Sequence, residues 1–200
     1  MTTTVVSPPL VLKPGPLRLD EEAFYAFCQA NPDLRIERTA QGEIVIMAPA
    51  GGESGSRNSE INFALRAFAK ADGRGVAFDS STGFILPNGA VRSPDAAWVD
   101  RERLRRLTPE EKQRFLPLCP DFVIALRSPS DRPEDLRAKM DEYIANGARL
   151  GWLIDPLTRT VTVYRPGAAP LVLTDPIAVS AEPVLPGFTL ALADVWDPGF

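Results

Sequence analysis

Any acid–base or metal chemistry in this sequence must use carboxylates, lysines, tyrosines or water, because the 200 residues include no histidine. Histidine-containing nucleophile triads and histidine metal sites are therefore excluded. Asp95 opens the apolar stretch 95–99, where a carboxylate is costly to bury unless it binds a metal, a cation or backbone N–H groups. Lys139 lies at the edge of the apolar face of a predicted helix, beside Tyr143. The residues alone leave two interpretations open, a structural ion pair and a functional site.

Two further patterns in the sequence are of types that can carry chemistry. The glycine-rich segment 50–56 lacks the GK[S/T] of a phosphate-binding loop, and it is predicted to be a surface loop. The arginines of segment 101–106 fit either a solvated helix face or a contact for nucleic-acid phosphate. Three more arginines would extend such a surface: Arg127, Arg132 and Arg137.

Hydrophobic spacing and capping residues predict the elements that must position these groups. Helices are predicted over 20–30, 57–71 and 133–146, with a further helix beginning at the capping box of Thr108. Strands are predicted over 34–39, 43–48, 76–79, 83–86, 95–99, 122–126, 150–155 and 160–165. This order predicts an α/β or α+β fold with a mixed sheet and helices against it.

Composition is that of a single compact domain. The 20 prolines crowd both ends, where they predict extended arms or edge strands, and residues 1–16 are expected to form an arm before a domain over 17–200. The formal net charge of −4 argues against binding nucleic acid by bulk charge. The two cysteines have no paired spacing, and no signal peptide or membrane span is expected, so a reduced cytoplasmic setting is predicted.

Several motifs together resemble the Uma-two family of restriction-endonuclease-like proteins, within the PD-(D/E)XK nuclease superfamily. They lie in segments 80–99, 120–131 and 139–156, and include Ser93-Pro94-Asp95 and Gly151-Trp152-Leu153-Ile154-Asp155-Pro156. The resemblance covers roughly residues 17–195. It implies a single restriction-endonuclease-like domain, with a mixed β-sheet flanked by helices and a Mg²⁺ site at the end of the sheet.

The resemblance also implies site residues. Asp95 matches a metal-binding aspartate, Lys139 a catalytic lysine carried on the helix, and Glu37 an N-terminal acid of the site. The main-chain carbonyl of Leu126 is a further candidate ligand. One departure is decisive: Ala125 stands where the family has glutamate, its second metal-binding acid. A natural loss and an introduced substitution both fit this alanine. A second departure is Asn58, which stands where many members carry histidine.

These observations give two functional hypotheses. The first is a metal-dependent endonuclease that hydrolyses DNA phosphodiester bonds, with Mg²⁺ binding weakened or lost and cleavage impaired at Ala125. The second is a catalytically inert nuclease-fold module that binds nucleic acid or a protein partner. DNA is the expected partner in the first hypothesis, and homodimerisation would suit cleavage of both strands.

Overall fold

The computed structural model describes residues 9–15 and 19–200, so much of the expected arm 1–16 lies outside the described residues. The mixed α/β architecture and the single domain are confirmed. The helices are α1 (Glu21–Ala30), α2 (Gly52–Asp72), α3 (Arg101–Arg105), α4 (Pro109–Lys112), α5 (Pro133–Ala145) and α6 (Ala193–Trp196). No helix of these described ranges is both long and apolar enough to cross a membrane.

Thirteen strands form three sheets within the described residues. They are β1 (Leu10–Leu12), β2 (Arg35–Arg38), β3 (Ile44–Met47), β4 (Gly75–Asp79), β5 (Phe84–Ile85), β6 (Val91–Arg92), β7 (Ala96–Asp100), β8 (Phe122–Leu126), β9 (Leu150–Asp155), β10 (Thr160–Tyr164), β11 (Leu171–Thr174), β12 (Ala178–Ser180) and β13 (Thr189–Ala191). The largest sheet has the order β11-β10-β9-β8-β7-β4, and β12 and β13 form a separate hairpin.

Strand β8 lies in the interior of the six-stranded sheet and is buried along its whole length. Its residues alternate between two cores, as expected for a strand covered on both faces. Ile124 and Leu126 pack in the core that contains α2, whereas Val123 and Ala125 pack in the core that contains α5. Among the strand pairs of the described residues, only β8 and β9 are parallel, and α5 is the crossover between them.

A second sheet has the order β1-β3-β2-β6-β5, and its pairs are antiparallel. Strands β2 and β3, which correspond to the predicted strands 34–39 and 43–48, form an antiparallel hairpin. This sheet matters for the site because β2 carries Glu37, and because β6 leads directly into the segment before β7.

Two expectations need correction. The segment 50–56 is mostly helix rather than loop, because α2 begins at Gly52. Arg57 fixes this first turn by binding the Val195 carbonyl at 2.8 Å and the Glu53 carboxylate at 2.9 Å. The proline-rich C-terminal region is also more than an arm, since it supplies core residues that include Phe188 and Trp196.

Gly151 of β9 allows α5 to lie close to the sheet. A Cβ atom built at residue 151 would stand 2.4 Å from Cε of Met140 and 3.4 Å from Cγ2 of Val123. A side chain at residue 151 would therefore require the end of Met140 to move and would press on Val123, so glycine suits this crossing. The close approach places α5, which carries Lys139, against the sheet.

Candidate functional site

The site is built around Asp95, which immediately precedes β7. The β7–β8 register pairs Ala96 with Ile124, so Asp95 stands opposite Ala125. Opposite residues of an antiparallel pair point to the same face, with Cβ atoms about 4.5–5.5 Å apart. The backbone N–H of Leu126 donates to Oδ2 of Asp95 at 2.8 Å. The methyl group of Ala125 therefore lies beside the aspartyl carboxylate, on the α5 face of the sheet.

The pKa of Asp95 is raised above its ordinary value. Burial is the main cause, and the Asp131 carboxylate adds to it. The hydrogen bond from Leu126 and the charges of Lys139 and Arg35 act in the opposite direction without cancelling the effect of burial. Asp95 is consequently a carboxylate whose negative charge is under-compensated in this chain.

Lys139 extends from α5 to a different carboxylate, Glu37 of β2. Its Nζ lies 2.6 Å from Oε1 of Glu37, and the Ser93 N–H donates to the same oxygen at 2.8 Å. Arg92 donates to Oε2 of Glu37 at 3.3 Å. Glu37 is only 2% exposed. Burial by itself would raise the pKa of Glu37, but the charges of Lys139 and Arg92, with these hydrogen bonds, lower it.

The charged network continues to Glu142, one helical turn from Lys139. Arg92 donates through Nε to Oε2 of Glu142 at 2.6 Å, and Asn88 donates to Oε1 at 3.0 Å. The network therefore joins β2, the segment around β6 and α5. Two cations and two anions balance within it: Lys139, Arg92, Glu37 and Glu142. Asp95 lies outside this network and makes no ion pair within residues 9–15 and 19–200.

Tyr143 contributes a buried hydroxyl that has no hydrogen-bond partner in the part of the chain that the structure describes. Burial raises the pKa of this phenol well above its ordinary value, and the charges of Glu37 and Asp95 add to the effect. An unpaired buried hydroxyl costs free energy. Its place among the site charges makes Tyr143 a member of the site.

The structure brings together Asp95, Lys139, Glu37, Ala125 and Leu126, the residues that the resemblance implies for one site. Asn58 lies nearby, because Asn62 donates both to its side-chain oxygen at 3.0 Å and to the main-chain oxygen of Asp95 at 2.9 Å. The roles of these residues remain predictions, because proximity alone does not test them.

The arginines proposed to contact nucleic acid are not equally free. Arg127 binds Asp155 at 2.7 Å, and the exposed Arg132 binds Asp135 at 3.0 Å. Arg137 is exposed and has no ion pair within the described residues. In the 101–106 cluster, Arg101 donates to the Gly73 carbonyl. Arg103 of the same cluster pairs with Asp121.

Arg92, Glu142 and Tyr143 were missed as site residues in the sequence. Each lies within a motif segment that carries the family resemblance, so membership of a motif was the available signal. The pairing of Arg92 with Glu142 could not be predicted from the sequence, because the two residues are 50 positions apart in the chain. Spacing along a helix or strand does not report contacts at that separation.

The residues present do not form a complete Mg²⁺ site. Among residues 9–15 and 19–200 there is no group of three or more His, Cys, Asp or Glu side chains able to hold a metal ion. Both oxygens of Glu37 are already bound, and one oxygen of Asp95 accepts the Leu126 N–H. Mg²⁺ requires near-octahedral oxygen ligands, normally including carboxylates. The donor set therefore does not fit a resident magnesium ion.

Comparison with known proteins gives a family and a fold. The model of the Uma2 family, described as "Putative restriction endonuclease", matches residues 21–193. A crystal structure titled as a "putative nuclease belonging to DUF820" from Anabaena variabilis has a TM-score of 0.69 and 22% sequence identity, over 80% of this chain and 89% of that one. At this identity the likeness shows the fold alone. No curated protein matches the sequence.

Proposed function

Since this chain belongs to the Uma2 family, we propose that it is a nuclease-type protein that acts on DNA phosphodiester bonds, with cleavage impaired at Ala125. The observation that carries the proposal is the position of Ala125 directly opposite Asp95, on the face that Lys139 covers. A carboxylate at residue 125 would stand beside Asp95. The methyl group found there supplies neither charge nor an oxygen.

The loss matters because phosphodiester hydrolysis builds negative charge and needs an activated water molecule. In nucleases of this type a divalent metal stabilises that charge and activates the water molecule. In this chain a methyl group, and not a second carboxylate, stands beside Asp95 at residue 125, so we propose that Mg²⁺ binding is weakened or lost. Lys139 would orient a reacting phosphate only by leaving or sharing its bond to Glu37.

The alternative function is an inert nuclease-fold module that binds nucleic acid or a protein partner. The ion pair between Lys139 and Glu37 favours it, because the ammonium is already neutralised within the protein. DNA is the proposed partner under the first function. A homodimer is proposed with it, because cleavage of both strands needs two sites.

The test is to compare Ala125→Glu with Ala125→Gln, which has the same shape without the charge. Duplex and single-stranded DNA should be incubated with each variant in Mg²⁺ and in Mn²⁺. We expect Ala125→Glu to raise cleavage at least about 100-fold over the unaltered chain, and Ala125→Gln to leave it unchanged. Melting temperature provides a second readout, since Mg²⁺ should stabilise only the glutamate variant.

A folded Ala125→Glu protein that cleaves no form of DNA with either metal would refute the nuclease proposal. If that protein still binds DNA in a salt-dependent manner, the inert binding module becomes the better description. Circular dichroism establishes whether the variant is folded, which is necessary because residue 125 is only 4% exposed.

A further inference from the structure

A cleft of about 460 Å³ lies between α5 and strands β9–β11, on the side of the helix away from Lys139. Its volume is within the range of about 300–1,000 Å³ that is typical of small-molecule sites. Arg137 and Asp141 reach the cleft from α5. At 100° per residue, Lys139 points about 160° away from Arg137, so the helix separates the cleft from the Glu37 network.

The floor of the cleft follows from the alternation of β10. Val161 and Val163 face the core that contains α2, whereas Thr160 and Thr162 line the cleft. The β9–β10 and β10–β11 registers place Leu153 and Val172 on either side of Thr162. The floor therefore combines hydroxyl groups with apolar side chains. Such a surface suits a sugar and a base better than it suits a bare ion.

Arg127 connects the cleft to the Asp95 site. Its backbone directly follows Leu126, whose N–H binds Asp95, and its side chain lines the cleft. The guanidinium binds Asp155 through Nη1, and its Nε is buried with no acceptor among residues 9–15 and 19–200. The side chain is 18% exposed, so part of it is open to a ligand. An incoming phosphate oxygen would bind this accessible part of the arginine, at the sheet edge shared by Asp95 and the cleft.

The charges around the cleft limit how much negative charge a ligand can carry there. Two arginines, Arg127 and Arg137, are balanced by Asp141 and Asp155. A balanced lining disfavours several phosphates within the cleft itself, as a bound triphosphate would place there. It suits a ligand with one phosphate and a neutral body, because Arg137 has no ion pair within the described part of the chain.

We propose that this cleft binds one nucleotide of the DNA strand that passes Asp95, with its phosphate on Arg127 and Arg137 and its sugar and base against Thr162, Leu153 and Val172. The inference rests on the proposed function and specifies where the substrate extends beyond the cleavage position. It assigns recognition of the substrate strand to a surface on the side of α5 away from Lys139.

The experiment measures binding by fluorescence anisotropy of labelled single-stranded and duplex oligonucleotides in EDTA, so that cleavage plays no part. Val172→Glu is compared with Leu171→Glu, because the two residues are 57% and 54% exposed on opposite faces of β11. Arg137→Gln is compared with Arg149→Gln, an exposed arginine directly before β9, at the opposite end of that strand from Asp155. Within each pair the two substitutions change the charge equally, but only the first residue lines the cleft.

We expect Val172→Glu to weaken binding at least about 10-fold, and Arg137→Gln to weaken it about 3–10-fold with a salt-dependence slope smaller by about 1. The two control variants should stay within about twofold. Equal effects within both pairs would overturn the inference, and so would the absence of any binding at 50 mM salt. If Ala125→Glu cleaves DNA but the variants of each pair weaken binding equally, only the proposed role of the cleft is rejected. If the cleft variants weaken binding selectively but Ala125→Glu cleaves no DNA, only the nuclease function is rejected.

Discussion

Replacing Lys139 by methionine is predicted to destabilise the protein through Glu37. The substitution keeps most of the aliphatic volume but removes the shortest contact of a carboxylate that is 2% exposed. Removing one partner of a buried ion pair typically costs about 3–5 kcal/mol. Arg92 and the Ser93 N–H still contact Glu37 in the variant, so the expected cost is near the lower limit, about 3 kcal/mol at pH 7.

The stability lost in Lys139→Met should be larger at neutral pH than at acidic pH. Lys139 and Arg92 lower the pKa of Glu37, so ionised Glu37 stabilises the protein above the ordinary glutamate pKa of about 4.3. That contribution is lost as the pH falls through the lowered, folded-state pKa. In the Lys139→Met variant the main cationic cause is absent. The difference between the two proteins is therefore largest at neutral pH and shrinks below about pH 4.

Urea unfolding at pH 7 and at pH 3.5 measures both quantities. Glu37→Gln and the double variant complete a double-mutant cycle for the pair. Lys70→Met serves as the control, because Lys70 is exposed in the last turn of α2, and its cost should stay within about 0.5 kcal/mol. A cost below 1 kcal/mol at pH 7 for Lys139→Met, or an equal cost at the two pH values, would refute the reasoning.

Two further predictions concern other titratable groups. Asp95→Asn should stabilise the protein at pH 7 by about 0.5–2 kcal/mol. The pKa of Asp95 is raised in the folded protein, so its stabilising contribution is complete only below its unfolded pKa and is lost as the pH rises through the folded pKa. Urea unfolding should therefore show no gain in stability at pH 3, and a loss of stability at pH 7 would contradict this. Burial raises the pKa of Cys119 to about 12, so a thiol reagent at pH 8 should modify Cys119 only as fast as the protein unfolds. Labelling of Cys119→Ser shows the Cys28 signal alone, and rapid loss of the Cys119 thiol in folded protein would show that the side chain is accessible.

The elements that hydrophobic pattern dictates were predictable. The predicted strands 122–126 and 150–155 coincide with β8 and β9, because both are apolar runs bounded by turn residues. The start of α2 was not predictable in this way. Glycine and serine have low helix propensity, and contacts from residues distant in sequence, such as the Val195 carbonyl that binds Arg57, stabilise that turn. Propensity cannot report such a contact.

Part of the site's membership was predictable, whereas its bonds and the residues Arg92, Glu142 and Tyr143 were not. The family resemblance indicated Asp95, Lys139 and Glu37, and the three lie together in the structure. It gave no indication that the ammonium of Lys139 binds Glu37 at 2.6 Å, because that pair spans 102 residues. The under-compensated charge of Asp95 follows from this choice of partner, and therefore could only be recognised from the structure.

The bare α-carbon of residue 151 has a consequence for how this protein tolerates change. A methyl group there would meet Cε of Met140, the movable end of a buried side chain, so Met140 would have to change rotamer. Met140 directly follows Lys139 in α5, so a substitution that adds no polar atom can disturb the packing beside the ammonium. A mutational survey confined to acids, bases and arginines would overlook residue 151.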